Sequence, residues 1–306
     1  MIDGLGYRPD QSARSLKTGL RYTLAYMAPD DDPFNPNPLM GGFLTALCDA
    51  AASAGYRILL FRPTTAPRRA VDDLAAARQV DGFILSDIMQ EDPRVERLAE
   101  LGVPFVTFGR TAIDKPQQWV DIDNSESMHR VAAALKEFGH HRVAYIASSS
   151  PMPWLQERTD GFYRGAKEAN IEVTTVFEPP AGSEDSEALV VALKGLLESK
   201  AAPTAIAAAN DLLALTAYRA IREAGLAVGE DISVIGYNDL PLCQLLSPKL
   251  SSVRMPLPNI AREIVGQLLA QIQGRGEPGP GTLLASELII RGSLQSRRPQ
   301  PPTATD

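Results

Sequence analysis

The sequence predicts an α/β protein of two doubly wound lobes, each a parallel sheet covered by helices on both faces. Three observations lead there. Short apolar runs rich in β-formers recur with little polar alternation, the pattern of strands buried on both sides. Amphipathic helical runs separate them, and several stop at a glycine. The alternating series, complete by about residue 124, then starts again.

In order, Tyr22–Ala28 (YTLAYMA) reads as a strand, Leu39–Ala54 as a helix ending at Gly55, and Tyr56–Phe61 (YRILLF) as a second strand. A helix over 68–79 leads to strand Gly82–Ser86, and a helix over 94–101 to strand Pro104–Phe108; Val120–Asp123 closes the series. The second series has helix 125–138 ending at Gly139, strand Arg142–Ala147, helix 157–169, strand Glu172–Phe177, helix 184–199, strand Ala205–Ala209, helix 211–224 and strand Ser233–Tyr237. Strand Ser252–Met255, a helix over 258–273 and a closing strand near 283–292 complete the chain. Doubly wound sheets bind ligands at the carboxyl ends of their strands. Two such lobes in sequence predict a small-molecule cleft between those ends.

The 306 residues suffice for two domains with their own cores, and 44% hydrophobic content is ordinary for a globular protein. No apolar run reaches the roughly 18 residues of a membrane span, and Met1–Pro9 lacks the basic start and apolar core of a secretory signal. No membrane partner is expected. Cys48 and Cys243 form no CxxC pair and lie in apolar stretches, so buried free thiols and a cytoplasmic setting are expected. The net charge of −7 argues against DNA binding over the whole surface. A local basic excess near the start (Arg8, Arg14, Lys17 and Arg21 against Asp3 and Asp10) is the exception. No Cys/His/Asp set has metal-ligand spacing, no GxSxG, HExxH or P-loop occurs, and Gly4-Leu-Gly6 lacks the rest of a dinucleotide fingerprint. No cofactor, metal or catalytic residue is expected.

Ten runs carry a resemblance. They are Gly6–Gly19 (GYRPDQSARSLKTG), Pro33–Asn35, Val80–Ser86 (VDGFILS), Gly102–Arg110 (GVPFVTFGR), Val120–Asn124 (VDIDN), Phe138–Ile146 (FGHHRVAYI), Arg158–Phe162 (RTDGF), Pro203–Gly225, Asp231–Asp239 (DISVIGYND) and Glu287–Ser293 (ELIIRGS). In order and spacing, over about 6–294, they resemble the lactose/galactose-repressor family of bacterial transcriptional regulators, whose core is periplasmic-binding-protein-like. The resemblance implies a hinge over 1–19, joined in the family to a DNA-binding head expected before Gly4 and not found in this chain. It also implies an N-terminal lobe of 20–124 plus 255–285 and a C-terminal lobe of 125–254 plus 286–295. The Pro-rich 296–306 is expected to be a disordered tail.

Site residues follow from the strand ends and from the resemblance. Phe34 and Asn35, in a loop after the first strand, suit a sugar ring and its hydroxyls, although Asp- and Pro-rich composition alone also makes a turn. Ser86 and Asp87 end the third strand, Asp87 being either a helix cap or a ligand contact. Arg110 ends the fourth strand as a ligand group or a surface ion pair. Arg158, expected at a helix start where the macrodipole does not reward a cation, can clamp adjacent hydroxyls. Asn210 and Asp211 either cap a helix or meet a ligand. At Asn238 many family members carry an Asp, and here the carboxylate comes one place later, at Asp239. Trp154, expected in the loop 148–155, and Trp119, expected before the fifth strand, could stack on a sugar or pack in a core. His140 and His141 fall at a helix end, where a charged imidazole is favoured.

The reading that results is a ligand-responsive regulator, a repressor and not an enzyme, homodimeric, sensing a polyhydroxylated effector such as a mono- or disaccharide by cleft closure. Hinge residues Arg14, Leu16 and Lys17 would meet operator DNA, with Leu16 as a minor-groove wedge. The alternatives are a periplasmic-type sugar-binding protein and a nucleobase-sensing repressor.

Overall fold

The computed structural model describes residues 18–27, 38–62, 66–114, 117–148, 150–177, 187–275 and 281–297. In chain order the elements begin β1 (Thr23–Met27), α1 (Pro38–Ser53), β2 (Arg57–Phe61), α2 (Pro67–Ala77), β3 (Gly82–Leu85), α3 (Pro93–Leu101), β4 (Phe105–Phe108) and β5 (Gln118–Ile122). They continue with α4 (Asn124–Glu137), β6 (Arg142–Ala147), α5 (Pro153–Glu168), β7 (Glu172–Phe177), α6 (Ala188–Leu197), β8 (Ala205–Ala208), α7 (Asp211–Glu223) and β9 (Ser233–Asn238). A short 3-10 helix (Pro241–Gln244), β10 (Ser251–Arg254), α8 (Leu257–Ile272), β11 (Thr282–Leu284) and β12 (Glu287–Ile289) complete the set.

The chain divides into two units. One holds the residues up to Asp121 with Leu257–Leu283, the other Ile122–Pro256 with the residues from Leu284 on. The first sheet runs β2-β1-β3-β4-β5-β11 and the second β7-β6-β8-β9-β10-β12. The pairs β1/β2, β1/β3, β3/β4 and β4/β5 are parallel, as are β6/β7, β6/β8, β8/β9 and β9/β10; β12 is antiparallel to β10. This order reverses between β1 and β3 in one unit and between β6 and β8 in the other. In doubly wound sheets such switch points are where ligands bind, at the strand carboxyl ends.

Both faces of each sheet are covered. In the first unit Ala25, Met27, Phe83, Leu85 and Phe105 share a core with Ala70, Val71 and Leu74 of α2 and Val95 and Leu98 of α3. The strand residues of opposite parity, Leu24, Tyr26, Ile84 and Val106, are just as buried. Tyr26 meets Phe43 of α1 edge-on at 5.8 Å between ring centroids. That double burial is why these strands read as unbroken apolar runs.

Three boundaries depart from the expectation. Helix α5 begins at Pro153, not near 157, because proline has no amide hydrogen to lose and fits the first helical position. Trp154 is therefore helical, and Arg158 is the sixth residue of the helix, not at its start. Strand β5 begins at Gln118 and includes Trp119. The single closing strand is two short ones, β11 in the first sheet and β12 in the second.

One further correction concerns burial. Cys243 is buried as expected, but Cys48 is exposed, since α1 turns it away from the sheet. The tail's start is fixed: Arg297 N–H donates to the Phe138 carbonyl (2.9 Å) and Gln295 N–H to Ser233 Oγ (3.1 Å). Residues 298–306 lie outside the described residues.

Candidate ligand-binding site

The second unit's site begins with two helices packed through glycine. A Cβ on Gly161 would run into the backbone of Ser125, and one on Gly165 would stand 2.8 Å from the His129 carbonyl. These two glycines, one turn apart on α5, let it lie directly on α4. The contact brings Arg158, three residues before Gly161, beside Asn124, the first residue of α4.

Arg158 is 2% exposed. Its Nε donates to Asn124 Oδ1 (3.0 Å) and its Nη1 to the Ala209 carbonyl at the end of β8 (2.8 Å). Its guanidinium lies over the ring of Tyr237 at 3.5 Å and of Trp154 at 4.6 Å. Aromatic faces attract a cation and fix the plane of the fork. Tyr237 Oη donates to the same Asn124 Oδ1 (3.1 Å), so one amide oxygen ties α4, α5 and β9 together. A planar donor held this way at the β6/β8 switch point suits vicinal hydroxyls or a carboxylate.

Beyond Tyr237, Asn238 and Asp239 have φ of 108° and 52°, conformations that cost a non-glycine residue on the order of 1–3 kcal/mol and collect at functional sites. Asn238 Oδ1 is buried with no hydrogen-bond partner among the described residues. Asp239, expected to face a ligand, is instead ion-paired. It accepts from Arg291 (2.6 and 3.0 Å) and from Arg254 Nε (2.7 Å). Burial works against its charge, but the two guanidinium groups hold the carboxyl below its ordinary pKa.

At the start of α7 the two expected roles separate. Asn210 is the cap, its side chain accepting from Leu213 N–H (2.9 Å). Asp211 does not cap and is fully buried. Its Oδ2 accepts from Leu240 N–H (2.8 Å) and its Oδ1 from Ser252 Oγ (2.6 Å). Burial pushes its pKa up to about 6 against the pull of those donors. Both oxygens of this carboxylate, expected to meet a ligand hydroxyl, are instead engaged by donors of the protein.

In the first unit Ser86 is buried, and its hydroxyl shares a hydrogen bond with Tyr26 Oη (2.8 Å). Asp87 does not cap α3, because Asp92 does, accepting from Arg94 N–H. Asp87 has φ of 47°. Arg94, buried with Asp92, donates through Nη2 to the carbonyls of Ser86 and Asp87 (3.0 Å each) and so sets the turn after β3. Arg110 donates to Asp121 (2.9 Å) and lies over Trp119 at 5.4 Å. Trp119 is also the surface against which Gly281 closes, leaving no room there for a Cβ.

His140 is buried: its ring bonds Thr204 Oγ1 (2.9 Å) and the Gln295 carbonyl (3.1 Å), and burial lowers its pKa, against the charged form expected at a helix end. Phe34, Asn35 and the hinge residues Arg14, Leu16 and Lys17 lie outside the described residues. Among the described residues no group of three or more His, Cys, Asp or Glu could hold a metal, and no helix is long and apolar enough to cross a membrane.

Sequence reasoning missed Asn124, Tyr237, Ser252, Arg291 and Arg94. Asn124, Tyr237 and Arg291 end or lie within the runs VDIDN, GYND and ELIIRGS, but singly they have no chemical signature; only their convergence gives them one.

Two doubly wound units of this strand order define the periplasmic-binding-protein-like class, and residues 132–294 match the family described as periplasmic binding protein-like domain. The HTH-type transcriptional regulator AglR of Rhizobium meliloti (strain 1021) is 30% identical over 294 residues, 94% of this chain and 82% of that protein. A regulatory protein of LacI family from Chloroflexus aggregans superposes with a TM-score of 0.81 at 31% identity, covering 91% of this chain and 100% of that one. A transcriptional regulator CelR–cellobiose complex superposes with a TM-score of 0.77 at 27% identity, over 92% and 89%. This chain belongs to the LacI family of transcriptional regulators, the lactose/galactose-repressor type that its sequence runs resemble.

Proposed function

We propose that the chain senses a small polyhydroxylated effector, a mono- or disaccharide, and acts as a repressor and not as an enzyme. The carrying observation is Arg158: a buried guanidinium, fixed by Asn124 and the Ala209 carbonyl between two aromatic rings, at the carboxyl ends of the strands. The strained Asn238, with its buried amide oxygen, adds an acceptor for a hydroxyl. The structurally similar regulator solved with cellobiose supports a disaccharide. Ser86, Arg110, Phe34 and Asn35 are the proposed contacts of the first unit, with Trp154 and Asn210 completing the second.

Effector binding would shift the population between conformations that differ in their fit to operator DNA. Arg14, Leu16 and Lys17 are the proposed DNA contacts, in a homodimer working in the cytoplasm. A thermal-shift screen of mono- and disaccharides against nucleobases and nucleosides tests the effector class. A ligand at 100 times its Kd should stabilise the protein by about 2.7 kcal/mol. Stabilisation by nucleobases alone would replace the sugar reading with a nucleobase sensor, and turnover of any bound compound would end the non-enzymatic one.

A further inference from the structure

The turn after β9 is held from behind. Asp239 N–H donates to Ser252 Oγ (3.0 Å), and Ser252 Oγ donates to Asp211 Oδ1. Leu240 N–H donates to the other oxygen of the same carboxylate. Asp211 and Ser252 are both fully buried, and the carboxylate is pressed against β9 so closely that a Cβ on Gly236 would collide with Oδ1. Arg291 and Arg254 fix the Asp239 side chain from its other side. Two consecutive amides are thus tethered, directly or through one hydroxyl, to one buried acid at the start of α7. The residues they belong to, or follow, are those with positive φ.

We propose that Asp211 is a positioning residue for effector binding: through Ser252 and the Leu240 amide it holds Asn238 and Asp239 in their left-handed turn and so sets the direction of the Asn238 amide. This rests on the reading of the strand ends as the effector site. It differs from a role as ligand acceptor, because both carboxylate oxygens are already occupied by donors of the protein. It also assigns Ser252, which has no contact with a strand-end ligand in this account, a measurable share in affinity. The side chain's charge is secondary. An amide at 211 can still accept from Leu240 and donate to Ser252 Oγ.

The test combines amide hydrogen exchange at Asp239 and Leu240 with isothermal titration, using cellobiose as the probe. Asp211→Ala should speed exchange at both amides and weaken cellobiose by about tenfold, the size of one lost buried hydrogen bond. Ser252→Ala should speed Asp239 and leave Leu240 slow, with a smaller loss of affinity. Asp211→Asn should keep affinity within about threefold. Ser252→Ala removes a single hydroxyl and keeps the test decisive if Asp211→Ala does not fold. Unchanged exchange at both amides, or faster exchange with unchanged cellobiose affinity, overturns the proposal. If the unmodified chain does not bind cellobiose, the titration is repeated with the sugar that the thermal-shift screen selects, and the exchange data by themselves decide whether Asp211 and Ser252 hold the turn.

Discussion

Burying Arg158 strips water from a permanent cation, and the protein compensates with an amide oxygen, a carbonyl and two ring faces. A lysine in its place brings a compact ammonium that can neither span both acceptors in one plane nor stack. Arg158→Lys should weaken the effector by about 1.5–3 kcal/mol and also lower the melting temperature, since Asn124 and Ala209 lose a donor. Titration calorimetry and a thermal melt read the two effects, and an unchanged Kd would remove Arg158 from the site. The buried acid makes a second prediction. The folded-state pKa of Asp211, about 6, lies above its ordinary 3.8, so the folded state holds the proton more tightly. Stability from this group is full below about pH 4 and falls as pH rises through 6, by on the order of 3 kcal/mol. His140 acts in the opposite sense. Its lowered pKa makes stability fall as pH drops below its unfolded value of 6.5. Urea melts from pH 4 to 7 should separate them: Asp211→Asn should flatten the loss on going from acid to neutral, and His140→Gln the loss on acidification. If neither variant alters the profile, these assignments are wrong.

At the scale of elements, the close approach of α4 and α5 decides where Arg158 lies. Gly161 faces backbone atoms of Ser125, which cannot rotate away as a flexible side chain can. Gly161→Ala should push the helices apart at a cost of about 1–3 kcal/mol and weaken effector binding with it, because Arg158 moves off Asn124. Gly195, on the open side of α6 with nothing within 4 Å of its Cβ position, is the control. Its replacement by alanine should be neutral or stabilising by up to about 1 kcal/mol. Equal melting temperatures for the two variants would refute the packing argument. Most strands and helices were legible here, because a strand buried on both faces must be apolar throughout and a covering helix must carry a stripe. The start of α5 was misread because Pro153 was taken for a loop residue when it opens the helix. Gly161 was legible as part of RTDGF, with Gly165 three residues beyond the run, but neither was legible as a contact, since nothing in the sequence says what lies against them.

At the scale of the molecule, the chain passes three times between the units, after Asp121, Pro256 and Leu283. The last passage makes the second unit depend on the end of the chain. Arg291 holds Asp239, whose side chain is 4% exposed, and Ser293 Oγ accepts from Ser251 N–H (2.7 Å) and donates to the Val234 carbonyl (2.6 Å). A chain ending at Leu284 loses β12 and all three contacts. Asp239 keeps Arg254 but loses the two charge-assisted hydrogen bonds from Arg291, each worth about 1.5–3 kcal/mol. Such a truncation should abolish or strongly lower the cooperative melt of the second unit, seen by circular dichroism and by protease sensitivity within 122–256. A melt as cooperative and as high as that of the longer chain would contradict this.

The sequence by itself determined the class: two alternating series, their strand and helix types, and the family to which the order of short runs points. These properties are local or periodic, so they survive in one dimension. Tertiary structure decided which partners the strand-end acids take within the protein. Asp211 and Asp239 look alike in the sequence, each an acid just beyond a strand, yet one is sealed against β9 and the other is clamped by Arg291 and Arg254. Asn124, some 30 residues before Arg158 and more than 100 before Tyr237, becomes their shared partner only when α4, α5 and β9 meet. A hydrogen bond depends on where two atoms lie in space, and for residues so far apart in the chain that position is set by the packing of whole elements.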